Sequence, residues 1–160
     1  MNDVSQRIAP AAIRKTIDVK APVDRAFAVF ASQMGEWWHK EHSLAQGIKQ
    51  VDVVIEPREG GRWYEVGDDG SQYEWGKVIA YEPPHRLVLA WQLNREFNYD
   101  PNFETTVEVR FEETADGTRV HFEHRDLERM GADAVETFES MDGGWGMLLD
   151  LFRAKAEGAS

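Results

Sequence analysis

Apolar residues alternate with polar ones from Val51 to His124, and then recur every third or fourth position from Val135 to Phe152. A period of two belongs to half-buried strands, and a period near 3.6 to a helix with one buried face. A chain written this way lays a helix on a sheet. Val51, Val53 and Ile55 share a strand face. Gly60–Gly61 turns into residues 62–66, and Asp68–Asp69–Gly70 is a hairpin signal leading into 72–81. Glu82–Pro83–Pro84 ends that strand, since proline has no N–H to give a ladder. Leu87, Leu89, Trp91 and Leu93 then alternate with Val88, Ala90 and Gln92. Thr105, Val107, Val109 and Phe111 face one way, opposite Thr106, Glu108, Arg110 and Glu112. Ala115–Asp116–Gly117 turns into a last strand with Val120, Phe122 and His124 on one side and His121 on the other.

Upstream, Ile13, Ile17 and Val19 mark a first strand. Lys15 interrupts its apolar face, which predicts a frayed end or an edge position. Pro22 and Asp24 suit the first turn of a helix whose stripe is Val23, Ala26, Phe27 and Phe30. A second short helix or turn over 34–40 carries Trp37 and Trp38. The final helix carries Phe138, Met141, Trp145, Leu148, Leu149 and Phe152. It holds Gly143, Gly144 and Gly146 in its middle, each costing about 1 kcal/mol in a helix. We expect that cluster to kink the helix, restart it, or admit close contact with the sheet.

Most late connections are too short for crossover helices, so the fold class is α+β with a curved, mostly antiparallel sheet. About six or seven strands wrap a long C-terminal helix, and two short helices follow the first strand. One sheet face is expected to be wet. Residues 1–12 read as a loose lead-in and 13–156 as one domain, which suits a length of 160 residues.

Composition removes several functions. Cysteine is absent, so disulfides, thiolate metal sites and thiol catalysis are excluded. The net charge is -11, with 8 basic against 17 acidic residues in the second half, a field that repels nucleic acid and anionic lipid. No stretch approaches the ~20 apolar residues of a membrane span, and residues 1–10 lack the apolar run of a signal peptide. A cytoplasmic protein, a monomer or weak homodimer, is expected.

A twisted sheet curls, and a straight helix cannot touch a curled sheet everywhere. Large side chains fill the gap or a cavity remains. Trp38, Trp63, Trp75, Trp91 and Trp145 are candidate liners, with Phe97 from the 94–103 loop, Phe111 and His124 from inward strand faces, and Phe138 and Leu149 from the helix. Each of these also fits plain core. Phe97, Tyr99 and Phe103 either form a lid or seal the end of the core. An empty 300 Å³ void would cost about 7 kcal/mol at ~24 cal/mol per Å³, against ~5–15 kcal/mol for a whole domain. A cavity of that size is therefore filled.

Reactive constellations are scarce. His39 and His42 flank Glu41 without the H-E-x-x-H spacing of a zinc helix, and no metal or cofactor is expected there. There is no G-x-S-x-G elbow, P-loop or G-x-G-x-x-G. His85 is expected at the surface. His124 looks inward and is the one candidate acid or base, alongside the plainer role of a hydrogen-bonded inner histidine. Glu65 and Glu74 lie on strands whose inward face is not assignable from the pattern; exposure is expected for both.

Several runs together resemble one family: Ala21–Pro22 opening a helix, Gly60–Gly61 before a strand, and Gly76-Lys-Val through Pro83–Pro84 to Arg86-Leu-Val-Leu-Ala-Trp91. Thr118-Arg-Val-His-Phe-Glu-His124 and the closing Gly144–Trp145 with Leu148, Leu149 and Leu151 complete the series. Over about residues 12–156 the chain resembles the START-related (SRPBCC) ligand-binding superfamily with its helix-grip fold. Within it, the chain is similar to the C-terminal domain of the activator of the heat-shock-protein-ninety ATPase. The resemblance implies a cavity between sheet and C-terminal helix for a small hydrophobic ligand. It also implies two alternatives: a polyketide cyclase or aromatase using His124 as acid/base, or a co-chaperone-like interaction module. The co-chaperone has a further N-terminal domain; only about twelve residues precede the first strand here, so a chaperone partner is not expected.

Overall fold

Seven strands form one antiparallel sheet in the order β1-β7-β6-β5-β4-β3-β2. The computed structural model describes residues 12–39, 42–43, 47–94, 96–131 and 134–158, side chains of 134 and 135 excepted. All but the last residue of the expected lead-in, and Glu41 between the two histidines, lie outside the described residues. The strands are β1 (Ile13–Val19), β2 (Gln50–Ile55), β3 (Arg62–Gly67), β4 (Gln72–Glu82), β5 (Arg86–Trp91), β6 (Thr105–Thr114) and β7 (Gly117–Arg125). Helices α1 (Val23–Ser32) and α2 (Met34–Trp37) follow β1; a 3-10 turn (Leu127–Met130) and α3 (Ala134–Ala156) follow β7. The sheet curls around α3, which completes the expected α+β architecture.

The β1 strand is an edge, as Lys15 predicted, and Lys15 reaches Asp142 of α3 at 3.2 Å. In α1 the predicted stripe of Val23, Ala26, Phe27 and Phe30 is buried, with Pro22 at the cap position. The α3 helix runs unbroken through its three glycines. Among the described residues nothing crowds Gly143, and a Cβ on Gly146 would stand 3.7 Å from the Lys15 amine, an ordinary contact. The glycines therefore neither kink the helix nor permit an approach that alanine would forbid.

Two expectations fail for identifiable reasons. Val51 does not share the face of Val53 and Ile55. The β2–β3 register shifts between Gln50 and Asp52, and this bulge turns Val51 outward to 46% exposure. The outer sheet face is not uniformly wet either: Val88, Ala90, Gln92, Thr106 and Glu108 are all buried. Glu108 sits at the centre of that face and accepts from Arg86 Nε at 2.9 Å, Arg110 Nε at 2.9 Å and Arg125 Nη1 at 2.8 Å. Burial pushes its carboxyl pKa up, but the hydrogen bonds from Arg86, Arg125 and Arg110 outweigh that and hold it at about 2.

Candidate functional site

Five indoles meet in a closed circuit under α3, three pairs edge to face and two tilted. Ring centroids are 4.8 Å apart for Trp38–Trp75, 5.5 Å for Trp75–Trp63, 5.8 Å for Trp63–Trp91, 5.9 Å for Trp91–Trp145 and 5.9 Å for Trp145–Trp38. Five elements supply them. Trp38 leaves the end of α2, with its N–H on the Met34 carbonyl at 2.9 Å. Trp63 and Trp91 lie on β3 and β5, and Gly76 of β4 stands between them in register. A Cβ at Gly76 would lie 1.8 Å from the Ala90 carbonyl oxygen, so only glycine lets the strands close here. Trp75 precedes that glycine, and Trp145 comes from α3.

Against this circuit lies a cavity of about 320 Å³. It is bordered by Trp38, Trp75, Trp91 and Trp145, by Leu93, Met141, Leu148 and Gly144, and by His42, Ser43, Ser140 and Phe97. Of the ten candidate residues, Trp38, Trp75, Trp91, Phe97 and Trp145 border it. The other five stand elsewhere. Trp63 underlies Trp75 and Trp91; Phe111 packs on Phe27 and Phe30; Leu149 is core; Phe138 is half-buried against that core. His124 is fully buried, with its ring beside those of Trp91 and Trp145.

Each bordering indole turns its N–H back into the protein. Trp38 Nε1 donates to the His42 carbonyl at 2.8 Å, Trp75 Nε1 to Glu65 Oε1 at 2.8 Å, Trp91 Nε1 to the Leu93 carbonyl at 3.0 Å and Trp145 Nε1 to His124 Nδ1 at 3.1 Å. The indoles thus offer the cavity carbon surface and committed donors. Glu65, expected at the surface, is fully buried. It also accepts from Ser43 Oγ in a short bond and from Gln50 Nε2 at 3.4 Å. Donors for its carboxylate come from residues 22, 15 and 10 positions away, and no local pattern announces them. Glu74 points outward to Arg62.

His124 serves as a linker. An indole N–H only donates, so Nδ1 must accept and the proton resides on Nε2, which donates to Thr105 Oγ1 at 2.8 Å. Thr105 in turn contacts the Trp91 carbonyl at 3.5 Å. Burial pushes the His124 pKa down to about 3. Its hydrogen-bond partners are an indole and a hydroxyl rather than a carboxylate.

Phe97 marks the rim. It is 44% exposed and adopts φ of 60°, a backbone region unfavourable for a bulky side chain. Asn94 holds it there: the Phe97 N–H donates to the Asn94 carbonyl at 2.8 Å, and Asn94 Oδ1 accepts from the Glu96 and Asn98 N–H groups. Phe103 packs on the core, while Phe97 borders the cavity and Tyr99 is 40% exposed.

Sequence reasoning missed His42, Ser43, Leu93, Ser140, Met141, Gly144 and Leu148. Leu93 follows Trp91 by two on one extended segment, and Met141 and Leu148 flank Trp145 by four and three in a helix. Those offsets carried the signal. His42 and Ser43 lie in a segment without periodicity and had none.

Residues 20–157 match the family model described as Activator of Hsp90 ATPase homolog 1-like protein. Among solved structures, the anthrahydroquino-gamma-pyrone synthase Txn09, complexed with SUM, is 30% identical with a TM-score of 0.62, covering 89% of this chain and 97% of that one. CalC from Micromonospora echinospora, a self-sacrificing resistance protein, is 28% identical with a TM-score of 0.68, covering 94% and 96%. Protein NE0264 from Nitrosomonas europaea shares the fold at 15% identity and a TM-score of 0.67, covering 94% and 96%. No curated protein matches the sequence. Among the described residues no helix is long and apolar enough to cross a membrane.

Proposed function

The chain belongs to the Activator of Hsp90 ATPase homolog 1-like family, within the SRPBCC superfamily, and on that premise we propose that it binds a small aromatic molecule in the cavity between its sheet and α3. The observation that carries this reading is the wall of four indoles around about 320 Å³. That space opens toward solvent at one side, so water or a guest fills it. Packed at about 0.74, the density of a protein interior, it holds roughly 240 Å³ of guest, the bulk of about four fused rings. Flat π-surfaces favour flat aromatic guests through offset and edge-to-face contact. The likeness to Txn09, a synthase named for a fused-ring product, supports the same guest class. Binding residues in this reading are Trp38, Trp75, Trp91, Trp145 and Phe97, with Met141 and Leu148 beneath the guest.

Catalysis through His124 draws no support, because Trp91 and Trp145 stand at the cavity while the His124 ring does not. Titration of the indole emission with 1-fluoronaphthalene tests the reading. Saturable one-to-one quenching is expected in the wild type and its loss in Gly144→Leu, whose side chain would enter the cavity. Equal quenching in both proteins would overturn it.

A further inference from the structure

The two edges of the sheet differ in how they end. At β2 the ladder shifts between Gln50 and Asp52, and α2 lies close over the strand. A Cβ on Gly35 of α2 would stand 2.7 Å from the Val53 nitrogen, whose N–H is taken by Asp52 Oδ1 at 2.9 Å. Bulging and covering both protect an edge from further pairing. The β1 ladder shows no shift: its seven residues pair with β7 in one register, from Ile13 opposite His124 to Val19 opposite Thr118. Among the described residues only β7 hydrogen-bonds to the backbone of residues 13–18. Lys15, a residue type that guards such edges, is drawn to Asp142 of α3 at 3.2 Å. A regular strand with one unbonded side is a template for another strand.

The sequence of β1 is complementary to itself. When two copies of a strand meet antiparallel, residues opposite one another point to the same sheet face, so one residue must face its own copy. With Thr16, the midpoint of β1, in that place, the whole strand pairs: Ile13 with Val19, Lys15 with Ile17, and Arg14 with Asp18 on both sides of the centre. Arg14 and Asp18 project from the outer face, each with its side chain 70% exposed. Within one chain Arg14 meets Glu123 at 3.1 Å and Asp18 meets Arg119 at 2.9 Å. Pairing would join these into a run of alternating charge across the seam. Moving the centre to Lys15 sets that lysine against itself, and moving it to Ile17 sets Arg14 against Lys20. Charge therefore selects the register centred on Thr16. On the inner face the stem of Lys15 would cover the half-buried Ile17 of the other copy. The strand carries two basic residues and one acidic in a chain of net charge -11, so the seam does not add to the repulsion between two acidic bodies.

We propose that two copies of this chain associate through β1, antiparallel about a twofold axis at Thr16, and so join their two sheets into one. One strand per copy is a small contact, which makes the dimer weak and concentration-dependent. No residue bordering the cavity belongs to β1, so the association is independent of the guest.

Sedimentation equilibrium of the full chain tests the proposal. The wild type is expected to dimerise reversibly, and a wild type that stays monomeric up to about 1 mM overturns it. Arg14→Asp and Asp18→Arg each set like charges opposite one another on both sides of the centre. Each is expected to weaken the dimer about tenfold or more, the scale of two reversed cross-strand pairs, with native circular dichroism retained. Mixed in equal amounts, the two variants set opposite charges face to face at both places. Native mass spectrometry is then expected to show a mixed dimer tighter than either variant forms with itself. A wild-type dimer that neither variant weakens overturns the proposal, and so does a mixture that forms no mixed dimer.

Discussion

Trp145 Nε1 donates to His124 Nδ1 across 3.1 Å, joining α3 to β7 through two fully or nearly buried rings. The bond requires a neutral imidazole, and so does the burial that pushes its pKa to about 3 from 6.5. The folded protein therefore leaves His124 unprotonated between those values, while the unfolded chain takes up a proton below 6.5. In that window the unfolded state holds more protons, so stability is fully present above pH 6.5 and falls as pH drops toward 3. The expected slope is about 1.4 kcal/mol per pH unit, or roughly 5 kcal/mol across the interval. Urea unfolding at several pH values measures it. In His124→Gln, which keeps an acceptor and a donor but cannot titrate, the slope between pH 6.5 and 4 is expected to be shallower by that amount per unit. Parallel slopes in the two proteins would refute the linkage.

The α3 glycines separate stability from binding. Gly143 is exposed and a Cβ there meets nothing within 4 Å among the described residues, so Gly143→Ala is expected to add about 0.5–1 kcal/mol and leave probe binding alone. Among the described residues, a Cβ at Gly144 would approach only His42 Cε1, at 3.9 Å. Gly144→Leu is therefore expected to raise the melting temperature and abolish binding together. That pairing is what a glycine kept for cavity volume predicts, and a destabilised Gly144→Leu would contradict it.

Trp63 and Trp75 touch each other but differ in their N–H groups. Trp63 Nε1 is buried without a partner among the described residues, whereas Trp75 Nε1 bonds the buried Glu65. Both substitutions with phenylalanine remove similar ring area. Only Trp75→Phe strips a donor from a buried carboxylate, so it is expected to cost about 1–3 kcal/mol more than Trp63→Phe. Chemical denaturation of the pair reads the difference, and equal losses would mean that the Glu65 bond contributes nothing.

Much of the architecture was written in short-range periodicity. Alternation identified the inner faces of β6 and β7, including His124, and helical spacing identified the buried stripes of α1 and α3. The five indoles of the circuit were named as candidate liners for their size, with no face assigned to Trp63 or Trp75. The faces of β3 and β4 were not legible, because both carry large apolar residues and a register shift separates Trp63 from Tyr64. An alternating pattern says which residues travel together, and a bulge resets it without leaving a mark in composition.

From its own order of residues, then, the chain specified a curled antiparallel sheet, a covering helix and an aromatic-rich inner surface, since backbone geometry converts local spacing directly into faces. Which indoles border open space and which lie beneath them was decided only in three dimensions. So was the burial of Glu65, held by Ser43, Gln50 and Trp75 from separate stretches of chain. Hydrogen-bond partners of buried groups are chosen by proximity after folding, and proximity between residues tens of positions apart has no period to read.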